Sequence, residues 1–575
     1  MNRADHLHRL ATETFDLCII GGGASGAGCA LDATLRGLKV ALVEKTDFAA
    51  ETSSRSTKLV HGGVRYLEQA FKNLDFAQLR QVRHGLEERR IVLQNAPHLA
   101  RPLGLVTPVF SWWEGLYFSI GLALYDWFAG RRSNVPSSRW LSKRTALALL
   151  PSLSPRIHSA VRYYDGQLDD ARYCLALAQS AAEAGTALAN HLEVLDFQKD
   201  NNGKINAATA RDALSGTQIA IRAKAFLNCT GPYADHLRRL ANPALPARIR
   251  PSKGVHLVLP AQVMPSDHAM LIPKTRDGRM VFALPFEGSL LLGTTDEPYS
   301  ALAQEPILEA SEVDFLLETL QPFVSQKIEK EQVKAGFGGL RPLLNPTPDP
   351  SPEGRGGRGA SRAADASAFA SPIPSGSGSG PTKSLLRDHE VERDPDSGLL
   401  SLLGGKWTTY RLMARDAVDA ACRTLGIRAE CRTENHALVG AEGFEPDFWK
   451  KLHAAHGFDE DVCQHLAAKY GTRAAQVAAL TAETPELRER ILPQFPFLKA
   501  EIVYAVRAEM ALTLRDFLAR RIRLEFTDWQ AARAAAPAVA HWMGKELAWS
   551  EVEKTTFLAE YDALLTHFIQ KSKPL

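Results

Sequence analysis

Asp16 to Glu44 reads DLCIIGGGASGAGCALDATLRGLKVALVE. The apolar run Leu17 to Ile20 predicts a buried strand that runs straight into Gly21, Gly23 and Gly26, spaced G-x-G-x-x-G. A helix-like segment and a second apolar strand, Val40 to Val43, follow. This order predicts a βαβ unit that binds a dinucleotide. Gly21 permits the tight turn, Gly23 lets a pyrophosphate approach the backbone, and Gly26, helped by Gly28, lets helix and strand pack closely. The helix N-terminus offers free N–H groups and partial positive charge to the phosphates. Glu44, about twenty residues on, is placed to accept hydrogen bonds from a ribose 2′-OH, and its charge disfavours a 2′-phosphate.

With 575 residues the chain is too long for one simple core. A formal net charge of +3 gives no support for a nucleic-acid partner. The seven cysteines show no C-x-x-C spacing and several fall in apolar runs, so they read as buried thiols rather than a disulfide frame or a zinc site. The first residues, MNRADHLHRLATETF, carry no apolar signal-peptide core, and no uninterrupted apolar stretch is long enough to predict a transmembrane helix.

Residues 73–94 have helical apolar spacing, and 103–130 are rich in aromatics and glycine. Asp169 to Gly185 predicts an Ala-rich helix, and 223–231 a second buried strand ending in Thr230-Gly231-Pro232. Residues 254–298 predict antiparallel strands with a turn at Glu287-Gly288. The composition changes sharply over about 346–383, where Pro, Gly, Ser, Ala and Arg dominate; this predicts a disordered surface insertion. The expected division is 1–436, holding a nucleotide-binding domain interleaved with a substrate domain, and 437–575, a helical domain.

The block SSRSTKLVHGGVRYLEQA (53–70) is more distinctive than the glycine fingerprint, and GFGGLRPL (336–343), LLRDHEV (385–391) and LGGKWTTYRLMARDAVD (403–419) go with it. With MALTLRDFLARRIRLEF (510–526), they make the chain resemble the FAD-dependent, quinone-linked sn-glycerol-3-phosphate dehydrogenases. The resemblance implies an α/β fold: a Rossmann-like FAD-binding domain of the D-amino-acid-oxidase type, an antiparallel β-sheet substrate domain and a C-terminal helical cap. It also implies FAD as cofactor, oxidation of glycerol 3-phosphate to dihydroxyacetone phosphate, and a membrane quinone as acceptor. The enzyme would then lie on the inner, cytoplasmic face of a membrane. No EF-hand pattern is found in the C-terminal part, which argues against the calcium-regulated mitochondrial form.

Matching the family motifs residue by residue implies a phosphate site of Arg65, Tyr66, Arg387 and Lys406, residue types suited to a dianion. Arg341 matches an arginine placed near the substrate hydroxyl, where it would stabilise developing negative charge. Arg stays protonated, so His256 is the better proton acceptor, an imidazole titrating near working pH. His61 is its rival. The cofactor is expected to meet Gly21, Gly23, Gly26, Glu44, Ser53, Ser54, Thr230, Gly231, Gly404, Gly405 and Thr408. The helix after Gly404-Gly405 is expected to point its positive end at the flavin pyrimidine, with Thr408 or Thr409 as N-cap. The aromatic stretch 103–130, followed by Arg131 and Arg132, suits either a membrane interface or packing in the cap or a homodimer contact. Two other functions stay open: a flavin oxidase using oxygen on glycerol 3-phosphate or an amino acid, and a flavin-binding protein without turnover.

Overall fold

The structure, a computed structural model, describes residues 1–63, 76–129, 134–273, 275, 279–345 and 389–573. The low-complexity insertion and the candidate residues Arg65, Tyr66 and Arg387 lie outside the described residues.

The N-terminal fingerprint folds as its residues dictate. Strand Thr14–Ile20 is parallel to Val40–Val43, and the helix Ala24–Leu35 connects them. Strand Gln218–Asn228 lies parallel on the other side of Thr14–Ile20, and Leu400–Gly404 extends the sheet by pairing Leu227 with Leu400. Ala187–Ala189 adds a further parallel strand beside Val40–Val43. Sequence-distant strands therefore meet in one sheet with their C-terminal ends at one edge, where open α/β sheets bind ligands.

The second sheet is mixed but mainly antiparallel. Its long strands Ile249–Pro260 and Ala335–Leu344 pair from Ile249 opposite Leu344 to Val258 opposite Ala335, with His256 opposite Phe337 and Ser252 opposite Arg341. The turn expected at Glu287-Gly288 is present, with φ of +49° and +66°, values that suit a two-residue hairpin. The aromatic stretch divides in two. Ala100–Val109 is a strand of this sheet, and only Trp112–Ala129 is helical.

The C-terminal helices pack against the second sheet in one continuous apolar core that includes Phe337, Val503, Phe517 and Phe526. Charge pairs pin them to the first sheet as well. Arg520 and Arg521 reach Asp47 at 2.6 and 2.7 Å, and Arg172 reaches Glu509 at 2.8 Å. These groups are buried, so each must be matched: removing one partner would leave an uncompensated charge in the interior. No helix among the described residues is long and apolar enough to cross a membrane.

Candidate active site

One cavity of about 510 Å³ runs from the glycine turn of the first sheet to the inner face of the second. Gly21 and Gly23 line its first end with Glu44 and Ser53, and Thr230 and Gly231 join from the neighbouring strand. Gly404, Gly405, Lys406 and Thr408 close another wall, and His61, His256 and Arg341 lie on the same cavity.

The first end is shaped by missing side chains. Gly21 has φ +112°, and a Cβ there would stand 2.6 Å from the Cys229 carbonyl oxygen. Gly26 is packed behind the cavity, where a Cβ would lie 1.8 Å from the Gly21 oxygen. Ser53 Oγ accepts the N–H of Ala24, the first residue of the helix, at 2.9 Å. The Glu44 carboxylate accepts the N–H of Gly22 at 2.7 Å and that of Thr46 at 2.9 Å. Burial pushes its pKa up, and those hydrogen bonds pull against the shift. A buried acid, a backbone cradle and an exposed helix N-terminus fit the adenosine and pyrophosphate parts of FAD.

Ser54 is not among the lining residues: its hydroxyl donates to the Glu51 oxygen, and its carbonyl accepts from Lys58 Nζ and Arg523 Nη2, each at 2.7 Å. The Thr230 hydroxyl is turned to Asn228 Oδ1 at 2.7 Å. At the second helix, Tyr410–Leu425, the expected side-chain cap is absent. Thr409 occupies the N-cap position, but its hydroxyl donates to the Lys406 oxygen; Thr408 Oγ1 accepts the His61 N–H at 3.2 Å. The turn Trp407–Thr409 diverts both hydroxyls. Trp407 Nε1 donates to the Ser53 oxygen at 3.0 Å, joining this wall to the first.

His256 and Arg341 belong to the two long paired strands, and the alternation of side chains puts them on one face. Between them Gly254 faces Gly339 across the ladder, leaving a floor without side chains. The Arg341 guanidinium lies over Gly254, where a Cβ would stand 2.4 Å from Nη2. It donates to Thr294 Oγ1 at 3.1 Å and to the Thr295 oxygen at 3.0 Å. His256 Nε2 is hydrogen-bonded to Thr57 Oγ1 at 3.0 Å, and its ring stacks on Phe337 with centroids 5.0 Å apart. Burial, with the charges of Lys58 and Arg341, holds its pKa well below the usual imidazole range. This environment favours the neutral imidazole, whereas an unperturbed histidine titrates near neutrality.

Sequence reasoning missed several cavity residues, among them Thr57, Arg55 and Asp165. Thr57 holds His256, Arg55 donates to the Gly338 oxygen at 3.2 Å, and Asp165 pairs with Arg89 at 2.6 Å. Arg55 and Thr57 fall within the motif 53–70, which was the available signal. Asp165 is two residues beyond Tyr163, another lining residue, in an alternating strand.

Comparison with known proteins agrees with this geometry. The family model described as FAD dependent oxidoreductase matches residues 16–361, and that of the C-terminal domain of alpha-glycerophosphate oxidase matches 431–554. The mitochondrial glycerol-3-phosphate dehydrogenase of Mesocricetus auratus is 40% identical over 556 residues, spanning 94% of this chain and 72% of that protein. The mitochondrial enzyme of Arabidopsis thaliana is 38% identical, over 97% of this chain and 87% of that protein. Among solved structures, the glycerol-3-phosphate dehydrogenase from Bacillus halodurans complexed with FAD superposes with a TM-score of 0.77 at 30% identity, covering 100% of this chain and 98% of that one. The chain therefore belongs to the FAD-dependent glycerol-3-phosphate dehydrogenases, with FAD as its cofactor.

Proposed function

We propose that the protein oxidises sn-glycerol 3-phosphate to dihydroxyacetone phosphate and passes the electrons to a membrane quinone. The observation that carries this reading is the placement of His256 and Arg341 on one face of paired strands, facing the cavity that the FAD-binding turns also line.

FAD, when bound, supplies the hydride acceptor. The remaining work falls to the chain's own residues. Gly21, Gly23, Glu44 and Ser53 hold the adenosine and pyrophosphate end, with Thr230 and Gly231 beside them. Gly404, Gly405 and Thr408 border the other end. Arg341 donates to the C2 oxygen and stabilises its developing negative charge. His256 accepts the C2 hydroxyl proton at Nε2 in exchange for the hydrogen bond made there with Thr57. Because the imidazole is neutral before substrate arrives, one ring nitrogen keeps a lone pair for the proton, and a bound phosphate dianion would raise its affinity for it. Lys406, with Arg65, Tyr66 and Arg387 from the matching motifs, binds the phosphate.

For the acceptor, the helix Trp112–Ala129 supports docking on a membrane surface, which we place on the inner face from the family resemblance. Trp112, Trp113, Tyr117, Ile120 and Trp127 are all exposed along it. Such an aromatic face suits a headgroup boundary.

The test is the anaerobic absorbance spectrum of the holoenzyme. Glycerol 3-phosphate should bleach the flavin band, and glycerol should do so at least three decades more weakly in kcat/KM, about 4 kcal/mol. Arg387→Ala should hurt glycerol 3-phosphate far more than glycerol. No bleaching would leave a flavin protein without this turnover. Reoxidation faster by oxygen than by a quinone analogue would make it an oxidase.

A further inference from the structure

Lys58 is an unusual residue at the rear of the site. It follows Thr57, the partner of His256, and its backbone has φ +62°, a left-handed conformation that costs a residue with a side chain roughly 1 kcal/mol. Its side chain is fully buried. Nζ donates to the Ser54 oxygen at 2.7 Å and to Asp170 Oδ2 at 2.8 Å. It also lies 4.8 Å from the centroid of Phe337, the ring on which His256 stacks. Phe337 stacks in turn on Phe526 at 4.8 Å, and Arg523 lies 4.8 Å from the Phe526 ring. Phe526 and Arg523 come from the C-terminal helical region, so a column of three rings joins that region to His256.

Asp170 is the hub. Its Oδ2 also accepts from Ser56 N at 3.0 Å and Ser56 Oγ at 2.7 Å; its Oδ1 accepts from Arg523 Nη2 at 3.0 Å. A backbone held in a strained conformation by so many bonds needs a purpose beyond filling space.

We propose that Lys58 is a positioning residue for His256: clamped by Asp170 and Ser54 beside the Phe337 ring on which the imidazole stacks, its buried ammonium holds His256 open to receive the substrate's proton. The inference rests on the reading of His256 as proton acceptor. The charged groups acting on the imidazole are Lys58 and Arg341; those acting on Lys58 are Asp170, Asp169 and Arg523. Burial brings the Lys58 ammonium down to about 7, with Asp170 opposing the shift and Arg523 adding to it. As pH falls through neutrality, Lys58 therefore gains its charge first, and that charge opposes protonation of His256.

The test replaces Lys58 by Met, which removes the charge while Asp170 keeps Arg523 and Ser56. Lys58→Gln serves if that variant does not yield holoenzyme, since its amide can still donate to Ser54 and Asp170. NMR of histidine-labelled protein, with His256→Asn to assign the signal, should show the wild-type imidazole neutral to below pH 6. In the variant it should titrate at least one unit higher. The rate of anaerobic flavin bleaching by glycerol 3-phosphate should fall at least fivefold more between pH 8 and 5.5 in the variant than in wild type. A His256 titration unmoved by loss of Lys58 overturns the proposal. A titration that moves while the rate profile does not upholds the Lys58–His256 coupling and instead removes His256 as the acceptor.

Discussion

The Tyr125 hydroxyl donates to Asp165 Oδ1 at 2.9 Å and accepts the Gly62 N–H at 2.7 Å. It thereby fastens the helix with the exposed aromatic face to the cavity wall and to the turn beside His61. Asp165 is buried, and that burial raises its carboxyl to about 6 although Arg89 pulls the other way. A carboxyl raised on folding binds its proton more tightly in the native state. Its contribution to stability is therefore greatest below about pH 4 and is lost as pH climbs through 6. Asp165→Asn should remove that slope, so wild type should lose about 1–3 kcal/mol more than the variant between pH 4 and 7 in urea unfolding. Parallel curves would mean that Asp165 is ionised throughout.

Gly254 offers a way to move Arg341 without deleting it. An alanine Cβ at 254 would stand within 2.4–2.7 Å of the guanidinium atoms, so the group must leave the strand. Gly254→Ala should lower kcat by about a hundredfold, the size expected for an angstrom of misplacement, while FAD content stays at wild-type level. Arg341→Ala should hurt glycerol and glycerol 3-phosphate alike. A Gly254→Ala enzyme with normal kcat would show that the guanidinium position is not critical.

Glu44 is expected to bind the adenosine ribose of a non-covalently held FAD. Glu44→Ala removes an acceptor already seated by Gly22 and Thr46 and should cost about 1.5–3 kcal/mol of FAD affinity, roughly ten- to a hundredfold in Kd. Fluorescence titration of apoprotein with FAD measures this. Flavin that stays on the chain after denaturation would refute the non-covalent attachment.

The parts of the molecule legible in the sequence are those written in contiguous residues. Gly21 to Glu44 predicted its own strand, helix and strand because the turn chemistry and apolar runs are local. His256 and Arg341 were visible as motif members, but their shared face follows from the register of strands about eighty residues apart, which periodicity does not give. Lys58 and Asp170 each look like ordinary charged residues. Only the fold buries them together and brings Arg523 from the C-terminal region, so a desolvated charge cluster has no sequence signature. The Thr409 cap failed for a related reason: a short 3-10 turn let its hydroxyl find the Lys406 carbonyl instead.

The aromatic helix is the proposed membrane anchor of the enzyme. Its inner side is anchored by buried Leu122 and Tyr125, while Trp113, Ile120 and Trp127 are 64%, 54% and 72% exposed. Exposing such side chains forfeits roughly 1.5–3 kcal/mol apiece that burial would return, so a face of them favours a covering partner. A membrane headgroup layer suits tryptophans, which offer an apolar body and one polar N–H. Glutamate at Trp113, Ile120 and Trp127 together should reduce membrane-bound enzyme at least tenfold in sedimentation with vesicles. Turnover with a soluble dye should persist, because none of the three residues lines the cavity. Detergent should release the wild-type enzyme, and salt should release it only modestly, since the face carries little charge. Unchanged recovery on vesicles would exclude this face as the anchor. If the triple variant also ran as a smaller particle than wild type in size-exclusion chromatography, the covering partner would be a second copy of the chain.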